Sequence, residues 1–95
     1  MATEQQIQKK IVDYLDSLDK SYAVKVVSAT RAGVPDILAC ISGSFVGIEV
    51  KRPESRNNIS KLQDYNLGLI ENAGGYSIVA YNVEMVKEFI EGEVL

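Results

Sequence analysis

Pro35-Asp36 and, after twelve intervening residues, Glu49-Val50-Lys51 are the residues of this chain best placed to do chemistry. The segments 36–41 and 44–51 read as the two strands of a hairpin broken at Ser42-Gly43. A two-residue turn there pairs Ile41 with Ser44 and sets Asp36 opposite Glu49. A turn at Gly43-Ser44 sets Asp36 opposite Lys51 instead. In either register, period-two alternation puts Asp36, Glu49 and Lys51 on one face of the sheet. Carboxylates facing each other across strands repel unless positive charge lies between them. A hard divalent cation supplies it. Oxygen ligands, no histidine and a single cysteine suit Mg²⁺ or Mn²⁺ and argue against Zn²⁺. Such an ion acidifies water and polarises phosphate, which is the chemistry of phosphodiester hydrolysis. Lys51 would orient the attacking water or stabilise charge building up on the phosphoryl oxygens. The competing reading makes Glu49 and Lys51 an edge-strand ion pair and Asp36 a turn residue.

Positioning these groups requires a sheet and helices to pack on it. Thr3 and Gln6 form a capping box for a first helix with Ile7, Ile11, Leu15 and Leu18 inward and Lys9, Lys10, Asp13 and Asp16 wet. The spacing predicts a strand at 22–27, then a loop through Ser28 to Gly33, where glycine lets the chain turn into Pro35-Asp36. Pro53 stops the motif strand and a polar loop follows. A second helix starts at Ser60 and ends near Gly74-Gly75. A fourth strand covers 76–80, and Asn82 caps a last helix with Val83, Val86, Phe89 and Ile90 inward. The order is αβββαβα, a small mixed α/β sheet flanked by helices, with the last strand returning through a helical crossover. Cys40 reads as a small core residue, and Tyr65, at helical spacing from Leu62 and Leu69, as packing.

Ninety-five residues allow one domain, 1–95, with a modest core. A chain 46% hydrophobic and 24% charged is an ordinary globule. No apolar run approaches the ~20 residues that span a bilayer, and the polar N-terminus is no signal peptide. A lone cysteine fits a reducing cytoplasm. The net charge of −3 disfavours a nucleic-acid partner at first sight. Its distribution reverses that. Residues 25–61 carry six bases against three acids, and residues 62–95 carry one base against six. Arg31, Arg52, Arg56 and Lys61 therefore stand out as phosphate-backbone contacts around the motif, against the alternative that they only solubilise. Binding by one subunit should be weak and salt-sensitive.

The stretches Gly33-Val34-Pro35-Asp36-Ile37-Leu38 and Gly43-Ser44-Phe45-Val46-Gly47-Ile48-Glu49-Val50-Lys51-Arg52-Pro53 resemble the VRR-NUC family, the virus-type replication-repair nucleases. That family belongs to the PD-(D/E)xK, restriction-endonuclease-like superfamily. The resemblance takes in Thr3-Glu4-Gln5-Gln6, Gln63 and Gly74-Gly75, and so covers nearly the whole chain. It implies a restriction-endonuclease-like core in a stand-alone, phage-like member acting in a host cytoplasm. It also implies a Mg²⁺- or Mn²⁺-dependent DNA nuclease with Asp36 and Glu49 as metal ligands. The Val50 carbonyl is a further candidate ligand, and Lys51 serves the water or the transition state. By the same resemblance Glu4 reaches the metal or its water shell, and Gln63 touches the lysine or a substrate phosphate. Each has a rival role: Glu4 favours the helix dipole, and a capping box with Ser60 would use up the Gln63 side chain. Structure-selective cleavage of branched or Holliday-junction DNA, a homodimer, and a replication or repair partner protein complete what the likeness implies. The alternatives are a non-catalytic nucleic-acid-binding or interaction module on the same fold, and an unrelated small interaction protein.

Overall fold

The computed structural model describes residues 2–95. Helix α1 (Glu4–Asp16) leads into strand β1 (Ser21–Lys25), the hairpin β2 (Ile37–Ile41) and β3 (Ser44–Val50), helix α2 (Lys61–Asn72), strand β4 (Tyr76–Ala80) and helix α3 (Val83–Phe89). The αβββαβα order is the expected one. A 3-10 turn at Pro53–Ser55 shapes the polar loop, and a π-helical turn at Ile90–Val94 extends α3. The strands form one sheet in the order β1-β2-β3-β4. The first three are antiparallel, and β4 joins β3 in parallel through α2.

Local chemistry explains the boundaries. Thr3 caps α1 and Ser60 caps α2, each in a reciprocal capping box, and Asn82 caps α3. The hairpin turns at Ser42 (φ 49°) and Gly43 (φ 86°), both left-handed, as the tightest hairpin turns require. Ile41 consequently faces Ser44 and Ile37 faces Ile48, so Asp36 and Glu49 come next in line. The first of the two registers is the observed one. Strand β1 falls short of the expected 22–27: its ladder ends at Lys25 opposite Ile37, and Val27 is almost fully exposed.

Alternation then sorts the two faces. Ile37, Ala39, Ile41, Val46, Ile48 and Val50 point to the core made with Ile7, Ile11 and Leu15 of α1, Val86 of α3 and Ile90 of the π-helical turn. On the other face α2 packs on β3 and β4, which leaves the β1–β2 half without a helix. Two sequence expectations fail there. Cys40 is exposed, and Tyr65 is 62% exposed. Both lie on surface that no element among the described residues covers.

Candidate active site

Strand β3 is central and Val46 to Val50 are buried on both faces. Its last turn outward carries Glu49, a carboxylate only 2% exposed. Asp36 ends the loop before β2 and points to the same face. One of its oxygens accepts the Val50 N–H at 2.8 Å. That bond ties the first carboxylate to the strand carrying the second and fixes their separation. It also qualifies the idea of a simply repelled pair, because Asp36 has a backbone donor of its own.

The two oxygens of Glu49 have different surroundings. Oε2 accepts from the Gln63 amide nitrogen at 2.9 Å and lies 3.9 Å from the Lys51 ammonium. Oε1 is buried with no partner. A buried, unpartnered carboxylate oxygen is costly unless a proton or a cation meets it. Burial, first of all, pushes the Glu49 carboxyl up to about 7 from 4.5; the charge of Asp36 adds to this, Lys51 opposes it, the readiness of the protonated form to hydrogen-bond Asp36 raises it further, and Glu4 adds a last increment. The orphan oxygen beside Asp36, in an all-oxygen setting, fits a hard divalent cation. Asp36 and Glu49 would hold it, with the Val50 carbonyl as the remaining candidate from the chain.

Gln63 resolves the rivalry between cap and site by doing both. Its oxygen accepts from Ser60 N–H at 2.9 Å, closing the capping box, while its nitrogen reaches Glu49. A capping box occupies one end of the amide and leaves the other free. Glu4, half-buried in the first turn of α1, lies close enough for its charge to act on Glu49. Among the described residues, however, no three His, Cys, Asp or Glu side chains gather closely enough to share one ion.

Asp36, Glu49, Lys51 and Gln63 thus come together in space. The expected phosphate contacts are exposed but scattered. Arg52 pairs with Glu54 at 3.6 Å, and Arg56 donates to the Pro53 carbonyl at 3.1 Å, so both are drawn toward their own loop. Lys61 opens α2 two residues from Gln63. Arg31 stands apart, beside a cavity it shares with Leu38 and Phe45.

The residue that sequence reasoning missed is Asn66. It is buried, and its amide nitrogen donates to the Ala32 carbonyl at 3.1 Å and the Leu62 carbonyl at 2.8 Å. It thereby clamps the loop leading into Asp36 onto the helix that carries Gln63. Its one signal in the sequence is an asparagine, a poor helix former, in the middle of a helix and beside Leu67.

No family model matches this chain, and no curated protein is similar to it. Two solved structures are. One, described as a VRR_NUC domain, is 23% identical, covers 97% of this chain and 99% of its own, and superposes with a TM-score of 0.79. The other, described as a VRR_NUC domain protein, is 15% identical over 95% of this chain and 89% of its own, with a TM-score of 0.71. The four-stranded mixed sheet, its three helices and their order are common to a known architecture: this chain has the restriction-endonuclease-like fold of VRR-NUC domains.

Proposed function

We propose that this chain is a Mg²⁺- or Mn²⁺-dependent nuclease that hydrolyses DNA phosphodiesters. The observation that carries the reading is Glu49, buried beside Asp36 with one oxygen unpartnered and the other held by Lys51 and Gln63. A purely structural ion pair would not leave half of a buried carboxylate empty. The likeness of fold to domains described as VRR_NUC supports the same class.

When bound, the divalent cation supplies charge for the phosphoryl oxygens and acidifies a water. The chain does the positioning. Asp36 is locked by the Val50 N–H and Glu49 by Gln63, so both carboxylates are held before any ion arrives. Lys51, only 15% exposed along its side chain, keeps its ammonium beside Glu49 and facing the place where phosphate charge builds up. Arg52, Arg56 and Lys61 steer the backbone of the nucleic acid toward that place, with Arg31 contributing from the loop before Asp36. Glu4 acts from a distance on the water and ion around Glu49. Among the described residues no helix-turn-helix or zinc module is present to read base edges, so selection by DNA shape, as at branched or four-way junctions, is the proposed specificity. A homodimer with two such sites, working in replication or repair with a partner protein inside a host cytoplasm, is the proposed setting. Among the described residues no helix is long and apolar enough to cross a membrane.

The test is cleavage of labelled single-stranded, duplex and four-way-junction DNA with Mg²⁺, Mn²⁺ or EDTA, comparing the wild type with Lys51→Ala. Cutting by the wild type alone, abolished by EDTA, is the expected result. Folded protein that cuts nothing with either metal would overturn it and leave a nucleic-acid-binding module.

A further inference from the structure

The second turn of α1 buries a polar side chain that the proposed site does not use. Gln8 is 7% exposed, and its Oε1 has no hydrogen-bond partner among the described residues. A buried amide oxygen is destabilising until a donor meets it. Gln8 lines a cavity of about 350 Å³ between α1 and β1, together with Lys9, Val12, Asp13 and Lys25. It is the buried member of that lining, and so the floor. Lys9 is tied to Asp13 at 2.9 Å, whereas Lys25 has no acidic partner among the described residues. Lys25 stands opposite Ile37 in the ladder and shares the face that α1 covers. The next residue, Val26, donates its N–H to the Asp36 carbonyl at 2.8 Å. Along the helix, Gln8 follows Glu4 by one turn, about 5.4 Å. Helical side chains lean toward the N-terminus, here toward the Glu4 turn. The cavity therefore lies at the end of the sheet that carries Asp36.

We infer that this cavity is a subsite for one unpaired nucleotide of the substrate strand, close to the phosphate to be cut. It rests on the nucleic-acid reading above and names the feature of a DNA that is selected. The chemistry matches part by part. Every nucleobase carries an N–H donor on its pairing edge, and Gln8 Oε1 is an acceptor without one. In a duplex that donor is engaged by the complementary base, so an unpaired base alone can offer it without the cost of extrusion. Val12 and the aliphatic stem of Lys25 give the flat face of the base an apolar wall. The Lys25 ammonium, free of any carboxylate, meets the phosphate of the same nucleotide. A volume of about 350 Å³ is at the small end of ligand pockets, suited to a single nucleotide rather than a stacked run. A donor common to all bases reads no sequence. It reads instead whether the strand beside the site is paired.

The experiment is fluorescence anisotropy in EDTA, so that nothing is cut, with a labelled duplex bearing one unpaired thymine. The comparison DNAs are the fully paired duplex, the same duplex with N3-methylthymine, which lacks the donor, and one with an abasic residue at that place. Wild type should bind the unpaired thymine about tenfold tighter than each of the other three. Gln8→Met keeps the length of the side chain and removes the acceptor, so it should bind the thymine and N3-methylthymine DNAs alike. It should also melt no lower than wild type, because no orphan oxygen remains buried. Lys25→Gln, at an exposed position, should weaken the thymine and abasic DNAs by the same factor, about threefold. Wild type that binds thymine and N3-methylthymine equally overturns the inference, as does a Gln8→Met protein that still separates them. A Gln8→Met protein melting well below wild type would show Oε1 already satisfied from within by a buried water, and overturns it equally. Cleavage is scored apart. Wild type that shows the tenfold preference yet cuts nothing with Mg²⁺ or Mn²⁺ removes the nuclease and leaves the subsite standing. Wild type that cuts without the preference removes the subsite alone.

Discussion

Asp36 and Glu49 are both proposed metal ligands, yet only the substitution of Glu49 should raise stability. The Glu49 carboxyl is raised to about 7, chiefly by burial and then by Asp36. A carboxyl raised above its unfolded value binds its proton more tightly in the folded state. Its contribution to stability is therefore full below about 4.5 and lost as the pH rises through about 7. Glu49→Gln removes that loss, so at pH 8 without metal it should be more stable than wild type by about 2 kcal/mol, on the order of 10 °C in Tm. At pH 5 the advantage should vanish. Thermal melts at the two pH values check this, and Mg²⁺ should raise the wild-type Tm at pH 8 but not the variant's. Asp36→Ala relieves the same repulsion but strands the Val50 N–H, a penalty of about 1–3 kcal/mol. It should gain nothing at pH 8 and bind no metal. Gln63→Glu keeps an acceptor for Ser60 N–H but turns the donor facing Glu49 into a second carboxylate. That variant should hold its helix content, lose stability above pH 7 and cleave at least about tenfold more slowly. A Gln63→Glu protein with full activity would remove Gln63 from the site.

At the scale of elements, what the sequence made legible was local. The capping boxes, the Ser42-Gly43 turn and the alternation of the hairpin all depend on neighbours within four residues or on one tight turn, and they place Asp36 opposite Glu49. What it hid was the joining of distant elements. Nothing near Asn66 announces that it bonds Ala32, thirty-four positions away. Nor does the spacing of Leu62, Tyr65 and Leu69 reveal that α2 sits over only half the sheet, so that a stripe read as core faces outward. The loop clamp is tight enough to test. Gly33 has φ +81°, and a Cβ there would lie 2.7 Å from the Leu62 side chain, 2.8 Å from the Asn66 amide and 2.9 Å from the Leu62 carbonyl. Gly33→Ala should cost about 2–4 kcal/mol from strain and overpacking combined, measured by urea denaturation. Asn66→Asp exchanges the donor for a charge facing two carbonyls. It should loosen Asp36 and weaken Mg²⁺ binding, measured by calorimetry, by about tenfold.

Over the whole molecule, the question is how a chain of net charge −3 attracts a polyanion. Its acidic surplus lies in the last third, on α2, α3 and the π-helical turn, whereas the segment from Lys25 to Lys61, which carries Asp36, Glu49 and Lys51, is net positive. The field a phosphate meets at that end of the sheet is local, and salt screens the distant acids within about 8–10 Å. Binding should then be steep in salt, with log affinity falling by about 0.9 per log unit of salt for each phosphate neutralised. Arg52 and Arg56 begin tied to Glu54 and Pro53, so each must leave an internal partner to reach the nucleic acid. Glu54→Gln frees Arg52 and removes an acid from the loop that follows Lys51. It should tighten junction binding by about threefold at low salt, with no change in the cleavage rate of bound substrate. Arg52→Ala should lower the salt slope by about one unit, evenly across DNA sequences. Fluorescence anisotropy on Lys51→Ala protein with labelled junctions reads both, free of cutting. A salt slope unmoved by Arg52→Ala would remove Arg52 from the backbone path and leave Arg31, Arg56 and Lys61 to carry it.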